Sequence, residues 1–407
     1  MIVGAAAGGH APRVPRCPLP IVALALAACG GPAAAPDVDA ARTDAAPTPP
    51  DAALPPDAPA RAEVGVLSLN LHCLKNDGTA YATNAARFAA IAATIAAEQI
   101  DVLLAQELCV GAAGDARALL HAALASATGG AWASEVAATH RAWVGTPDEA
   151  DEYVAVFTRG ALAAPRGTVH RVQGSLRRVL LGATVTGVGA TPLRVYTVHL
   201  DHEREDVRAA QGRDVASAAL VEADVEALAL DAGGGAVALP VVIAGDFNST
   251  FTAAAPQALA GFGFVEASGS AATTRIDHVF AHRSAPLAAT ETRELFEGAA
   301  AVSDHPGVMV RFAAAAPTPV RLTRIAAPGT FAPPLTVRGD RAPLTWTSGW
   351  PAWPHPVAGG PGVALVTSEL PPGAFAYKFL RDDVDWALGA NAAGVGQTDN
   401  QTSPTFP

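Results

Sequence analysis

Six short stretches of this chain set acid, amide or imidazole side chains at the edge of an apolar run. Val66-Leu67-Ser68-Leu69-Asn70, Leu103-Leu104-Ala105-Gln106-Glu107, Val195-Tyr196-Thr197-Val198-His199 and Val242-Ile243-Ala244-Gly245-Asp246-Phe247-Asn248 each read as a buried strand that delivers a polar group where it ends. Arg275-Ile276-Asp277-His278-Val279 reverses the order, with the acid leading into the apolar run, and Ser303-Asp304-His305 closes the set. One polar strand end is common and means little. Six of them, carrying these residue types, point to a metal-plus-histidine active site.

The intervening pattern predicts the architecture. Residues 84–98 place Phe88, Ile91, Ala92 and Ile95 at helical spacing, so strand, helix and strand form one right-handed crossover. Leu119 to Ala127 predicts another helix. Tyr153 to Phe157, Arg178 to Val185 and Leu193 to Leu200 read as strands. The long helical stretch Asp206 to Leu230 returns to the strand Val241 to Ala244. The expected fold is an α+β four-layer sandwich, two packed β-sheets flanked by helices, over residues 62–315. An Ala/Pro joint at 313–318 leads into residues 316–407, which hold Trp346, Trp350, Trp353 and Trp386. Short alternating runs there (Leu335 to Arg338, Val363 to Thr367, Phe375 to Leu380) and Gly/Pro turns predict a separate all-β sandwich with its own aromatic core.

The N-terminus reads as targeting rather than fold. Arg13 and Arg16 precede an apolar stretch, Pro18 to Ala28, that is too short to span a bilayer as a helix. It ends in Leu26-Ala27-Ala28-Cys29-Gly30, which resembles a bacterial lipoprotein lipobox. The resemblance implies that residues 1–29 hold the signal and that Cys29 is diacylated, with ordinary secretory cleavage as the alternative. Residues 30–61 are Ala, Pro and Asp without apolar period, a disordered linker. The folded part is then expected outside the cytoplasm, in the bacterial cell envelope, at its periplasmic or outer-membrane face. In that compartment Cys73 and Cys109 could form a disulfide, since each follows a polar strand end; two buried free thiols are the alternative. The net charge of -11 gains nothing from counterion release, which disfavours a DNA-coating protein. It does not exclude a nuclease, whose metal supplies positive charge. A monomer is expected.

Taken in order, the Asn70 strand, Gln106-Glu107, the His199 strand, Gly245-Asp246-Phe247-Asn248, Ile276-Asp277-His278-Val279 and Ser303-Asp304-His305 resemble the endonuclease/exonuclease/phosphatase superfamily. Its members include pancreatic-type deoxyribonucleases, abasic-site endonucleases, neutral sphingomyelinases and inositol phosphatases. Any one motif is weak; the ordered set is specific. The resemblance implies a phosphoesterase using Mg²⁺ or Mn²⁺, held by Glu107 with Asn70 and Asp304. Such a hard ion takes oxygen ligands and neutralises charge that develops on the phosphate. Asp246 and Asn248 would position the attacking water and the phosphate. His305, oriented by Asp277, would contact the phosphate or act as acid or base, and His199 would face it from the other side, oriented by Glu152. Of Arg177 and Arg178, Arg178 fits better as a phosphate ligand.

Each residue also has a bland reading: Asp304-His305 as a cap or turn, Asp277 as a surface charge, Asn70 as a turn cap. His72, His202, His278 and His282 are read as structural or solvated. His199-Leu200-Asp201-His202, with Arg208 and Gln211 on the next helix, resembles a subgroup of the superfamily. The substrate could be nucleic acid, phospholipid or phosphosugar, although no basic arm or aromatic-basic groove for a duplex is visible. In the C-terminal part, Leu370-Pro371-Pro372-Gly373, Tyr377-Lys378-Phe379 and Trp386 resemble starch-binding early-set modules. That resemblance implies polysaccharide binding through an exposed Trp; the alternative is Trp that fills a core or packs on the catalytic domain. The competing reading for the whole chain is a catalytically inactive surface protein that binds polysaccharide.

Overall fold

The structure, a computed structural model, describes residues 62–230, 239–269, 274–316, 320–331, 334–357 and 360–407. Cys29, the targeting segment and the linker at 30–61 lie outside the described residues. Among those described, no helix is long and apolar enough to cross a membrane.

The elements up to residue 315 run β1 (Glu63–Asn70), α1 (Asn84–Ala97), β2 (Val102–Gly111), β3 (Gly114–Asp115), α2 (Ala116–Thr128), β4 (Ala133–Ala142), β5 (Ala150–Thr158), β6 (Ala161–Val169), β7 (Val179–Thr186), β8 (Leu193–His199), α3 (Glu205–Leu230), β9 (Val241–Asp246), α4 (Ala254–Gly261), β10 (Phe264–Glu266), β11 (Asp277–His282), β12 (Leu287–Leu295) and β13 (Gly307–Ala314). They make two sheets. One has the order β12-β13-β1-β2-β5-β4, with β3 on β2; the other is β10-β11-β9-β8-β7-β6.

The sheets meet through Val66, Leu104, Val156, Leu181, Val195, Val242, Val279 and Val310. On the other side of the first sheet, Leu67 and Leu103 pack with Phe88, Ile91 and Ile95 of α1 and Leu120 and Leu124 of α2. Central strands are therefore covered on both faces, which is why β1 and β2 read as near-continuous apolar runs. Thr83 caps α1 through the Ala86 amide, and Asp115 caps α2 through the Ala118 amide.

Strand registers gather the polar ends. β1 and β2 are parallel, with Asn70 opposite Gln106. β8 and β9 are parallel, with His199 opposite Asp246, and β11 runs antiparallel to β9 so that Asp277 is also opposite Asp246. Gly245 has φ 155°, and a Cβ there would lie 2.0 Å from the Val198 carbonyl oxygen. Only glycine permits this approach. Cys73 and Cys109 are joined as a disulfide with Cα atoms 4.8 Å apart, linking the loop after β1 to β2.

The remaining strands are β14 (Thr323–Pro328), β15 (Leu335–Gly339), β16 (Trp350–Pro351), β17 (Trp353–Val357), β18 (Gly360–Thr367), β19 (Gly373–Arg381), β20 (Asp385–Trp386), β21 (Ala392–Gly396) and β22 (Asp399–Gln401). They form two small sheets, β17-β18-β14-β22 and β16-β15-β19-β20, with β21 on β19. Their core is not separate. Ile325, Val337, Leu365 and Phe379 join one apolar cluster with Val215, Ala219 and Leu220 of α3 and Leu259 of α4. Trp353 Nε1 donates to Ser217 Oγ at 2.8 Å, and the Trp350 ring stacks on Phe262 with centroids 3.7 Å apart. Asp224 of α3 accepts Arg324 Nε at 2.6 Å and His355 Nε2 at 3.0 Å. Two of the four Trp thus pack on the larger, N-terminal pair of sheets through α3 and the loop after α4. Trp346 and Trp386 instead pair on the outside, 6.1 Å apart, with Trp386 40% exposed.

Candidate functional site

Glu107 owes its aim to a break in β2. The register with β5 shifts between Ala105 and Leu108, and Glu107 has φ 49°. A bulge of this kind re-aims a side chain, and here it turns the carboxylate into a cleft of about 470 Å³. Asn70 Nδ2 donates to Glu107 Oε1 at 2.9 Å and to Asp246 Oδ2 at 3.2 Å. Its Oδ1 accepts the His72 amide at 2.9 Å, which fixes the amide the other way round from a metal ligand. The carboxylate of Asp246 also accepts the Asn248 amide at 2.8 Å on Oδ1.

Both predicted histidines reach the same oxygen. His199 Nε2 is 3.5 Å and His305 Nε2 is 3.9 Å from Asp246 Oδ2. Asp277 Oδ2 accepts His305 Nδ1 at 2.8 Å. Burial alone would lower the His305 pKa; the bond and charge of Asp277, then the charges of Asp246 and Asp304, outweigh it and raise it to about 10. His199 is the opposite case. Burial, and then the Arg178 guanidinium, bring it down to about 4, despite the nearby acids. The Asp246 pKa is raised by burial and then by the charge of Asp277.

The supports of His199 differ from expectation in one respect. Glu152 Oε1 is 3.6 Å from Nδ1, but Arg178 Nη1 stands closer, at 2.9 Å, and also reaches Glu152 Oε1 at 3.4 Å. Arg178, though almost fully buried, also lines the cleft. Asp304 is not among the residues that line the cleft with Glu107. It is half-exposed, and its Oδ1 is 3.2 Å from His72 Nδ1. His278 is structural: it is buried between Glu266 Oε1 at 2.7 Å and the Ser249 carbonyl at 2.8 Å. Gln211 and Arg208 also hold the backbone rather than the cleft, bonding the Asp201 amide and carbonyl.

Sequence reasoning passed over His140 and Trp143, which line the cleft, and read His202, which lines it too, as structural or solvated. His140 falls in a second bulge, between Ala138 and Arg141, where the alternation that marks a strand is broken. No pattern in the chain singles it out.

The donor set fits a hard divalent cation. Glu107, Asp246 and Asp277 supply carboxylate oxygen, and Asp277 Oδ1 is buried without a hydrogen-bond partner. Ligand atoms of Asp246, Asp277 and His305 lie within 4.8 Å of one another.

Residues 67–305, more than half of the chain, match the Endonuclease/Exonuclease/phosphatase family, and the chain belongs to that family. Among solved structures, an endonuclease/exonuclease/phosphatase from Beutenbergia cavernae is 20% identical, with 82% of this chain and 100% of that one covered and a TM-score of 0.49. A mannosyl-6-phosphatase of Bacteroides thetaiotaomicron is 17% identical over 61% of this chain and 99% of that one, with a TM-score of 0.42. The human Nocturnin catalytic domain with bound sulfate is 18% identical over 62% and 93%, with a TM-score of 0.44. No curated protein sequence matches. Membership places the chain among hydrolases of phosphate esters.

Proposed function

We propose that this protein is a phosphoesterase that requires Mg²⁺ or Mn²⁺ and is exported to the cell envelope on a lipid anchor at Cys29. The observation that carries the catalytic part is the convergence of His199, His305 and Asn70 on one oxygen of Asp246. Glu107 would hold the ion, supported by the Asn70 bond. A bound ion of this kind supplies positive charge against the phosphate oxygens and the leaving group.

The chain's own groups then divide the work. Asp246, a stronger base than an ordinary carboxylate, takes a proton from the attacking water, whose oxygen forms the new bond to phosphorus. His305, protonated at neutral pH and 3.9 Å from the same Asp246 oxygen, stands on the attacking side and contacts the phosphate, while the leaving oxygen takes its proton from solvent water as the old P–O bond breaks. His199 is neutral. Its Nδ1 accepts from Arg178, so Nε2 carries hydrogen and donates to a phosphate oxygen.

Hydrolysis of bis-p-nitrophenyl phosphate with Mg²⁺, with Mn²⁺ and with EDTA tests this. Metal-dependent release of p-nitrophenolate is expected. No turnover of that ester, plasmid DNA, RNA, sphingomyelin or inositol phosphates would remove the enzyme reading. Cys29→Ser should move the protein from the membrane to the soluble fraction.

The Trp346–Trp386 pair favours a second activity, polysaccharide binding by the C-terminal sheets. Arg338 lies 5.3 Å from the Trp386 ring centroid and holds that ring at the surface. Pull-down on insoluble glucans, with Trp386→Ala as the losing variant, tests it.

A further inference from the structure

One wall of the cleft takes no part in the chemistry above. It is formed by Ala142, Trp143, Val144 and Leu176. Trp143 is 41% and Val144 68% exposed, a solvent-facing apolar surface beside a cluster of acids and histidines. Trp143 has φ 55°, where a bulky residue is held only by its surroundings. Those surroundings are on hand. The Thr146 amide and hydroxyl donate to the Trp143 carbonyl at 3.0 and 2.7 Å. Glu149 accepts both Arg141 Nε and the Gly145 amide, at 2.5 and 2.8 Å, which braces the turn. The ring itself is also held. Lys75 Nζ stands 3.8 Å from its centroid. Lys75 lines a separate small cavity beside the Cys73–Cys109 disulfide and not the cleft. One face of the indole is therefore covered by Lys75, and Trp143 still lines the cleft.

We propose that Trp143 is a stacking platform for a nucleobase carried by the phosphate ester, which makes nucleotides or single-stranded nucleic acid the substrate class of this site. The inference rests on the phosphoesterase reading for the position of the phosphate. A base fits this wall better than a sugar does. A stacked sugar also needs polar side chains beside it for its hydroxyls, and Ala142, Val144 and Leu176, the residues nearest in this wall, carry none, although acids and Asn248 line the cleft elsewhere. A flat aromatic ring needs only a face and a dry surround. Stacking is also tolerant of sequence, because every base has such a face.

The test is calorimetric titration of the full chain, with Mg²⁺, against AMP, ribose 5-phosphate and inorganic phosphate, with phosphate release followed in parallel. Wild type should bind AMP about tenfold more tightly than ribose 5-phosphate, as one base stack implies. Trp143→Ala should remove that difference and Trp143→Phe should keep most of it; a circular-dichroism melt of each variant confirms folding. Equal binding of AMP and ribose 5-phosphate by wild type, binding of neither, or a preference that survives in Trp143→Ala overturns the platform. A preference for AMP that depends on Trp143, in a protein that hydrolyses no ester, keeps the platform and overturns the catalytic reading instead.

Discussion

Arg178 places Nη1 2.9 Å from Nδ1 of His199. A guanidinium has hydrogens to give and no lone pair to offer, so the ring nitrogen must accept. One contact thereby settles which nitrogen of His199 bears hydrogen and disfavours its cationic form. Arg178→Met should lower turnover by about two orders of magnitude. In the metal-free protein it should also raise the His199 pKa from about 4, because the guanidinium is the second cause of its depression after burial. NMR titration of the imidazole reads the shift; an unmoved value would mean that the pair does not form.

His199→Ala and His305→Ala should each cost about two to four orders of magnitude in kcat. The double variant should lose far less than the product of the two, since both rings serve one transition state. His278→Ala is the contrast. It removes bonds to Glu266 and the Ser249 carbonyl, so melting temperature should fall while metal dependence is retained. Equal kinetic losses at all three positions would point to damaged folding.

Glu107→Gln keeps the shape of the side chain and removes its charge. The expected result is a raised Mg²⁺ requirement and a turnover loss that saturating metal does not restore. Near wild-type turnover at saturating Mg²⁺ would assign the ion to other ligands. Ligand atoms of Asp246, Asp277 and His305 lie close enough together to be the next place to look.

Acid should loosen the contact between the C-terminal sheets and α3. Burial alone would raise the Asp224 pKa, but the bonds from Arg324 and His355 outweigh it and hold it below the ordinary 3.8. A depressed carboxylate gives stability that is fully present above its unfolded pKa and is lost as pH falls through the folded value. Melting temperature should therefore drop steeply below about pH 4. Asp224→Asn should lower stability at pH 7 by roughly 2–4 kcal/mol and flatten that acid limb. An unchanged acid limb in the variant would place the sensitivity elsewhere.

How much of this was legible depended on where a strand sits in its sheet. β1, β2, β8 and β9 are covered on both faces, and their apolar runs and polar ends could be read directly. The four edge strands β4, β6, β10 and β12 could not. β6 contains Pro165 and Arg166 and is mostly exposed, as an edge tolerates. β4 carries His140 in a bulge and leads into Trp143, so one unread strand hid a whole wall of the cleft. The C-terminal strands were readable for a different reason, since Leu335 to Arg338 and Phe375 to Phe379 alternate apolar with smaller or polar residues. Their attachment was not. Asp224 and Ser217 look like surface residues of a helix until Arg324, His355 and Trp353 are set against them.

The change of composition near residue 316 looks like a natural place to cut the chain. The two-sided burial of α3 makes it a poor one. A fragment ending there would present Val215, Ala219 and Leu220 to water, with Phe262 stripped of its Trp350 cover and Asp224 of both its hydrogen-bond donors, Arg324 and His355. Such a surface is sticky. Clumping of a truncated preparation would then report the missing lid on α3, and a failed assay on it would say nothing about the active site.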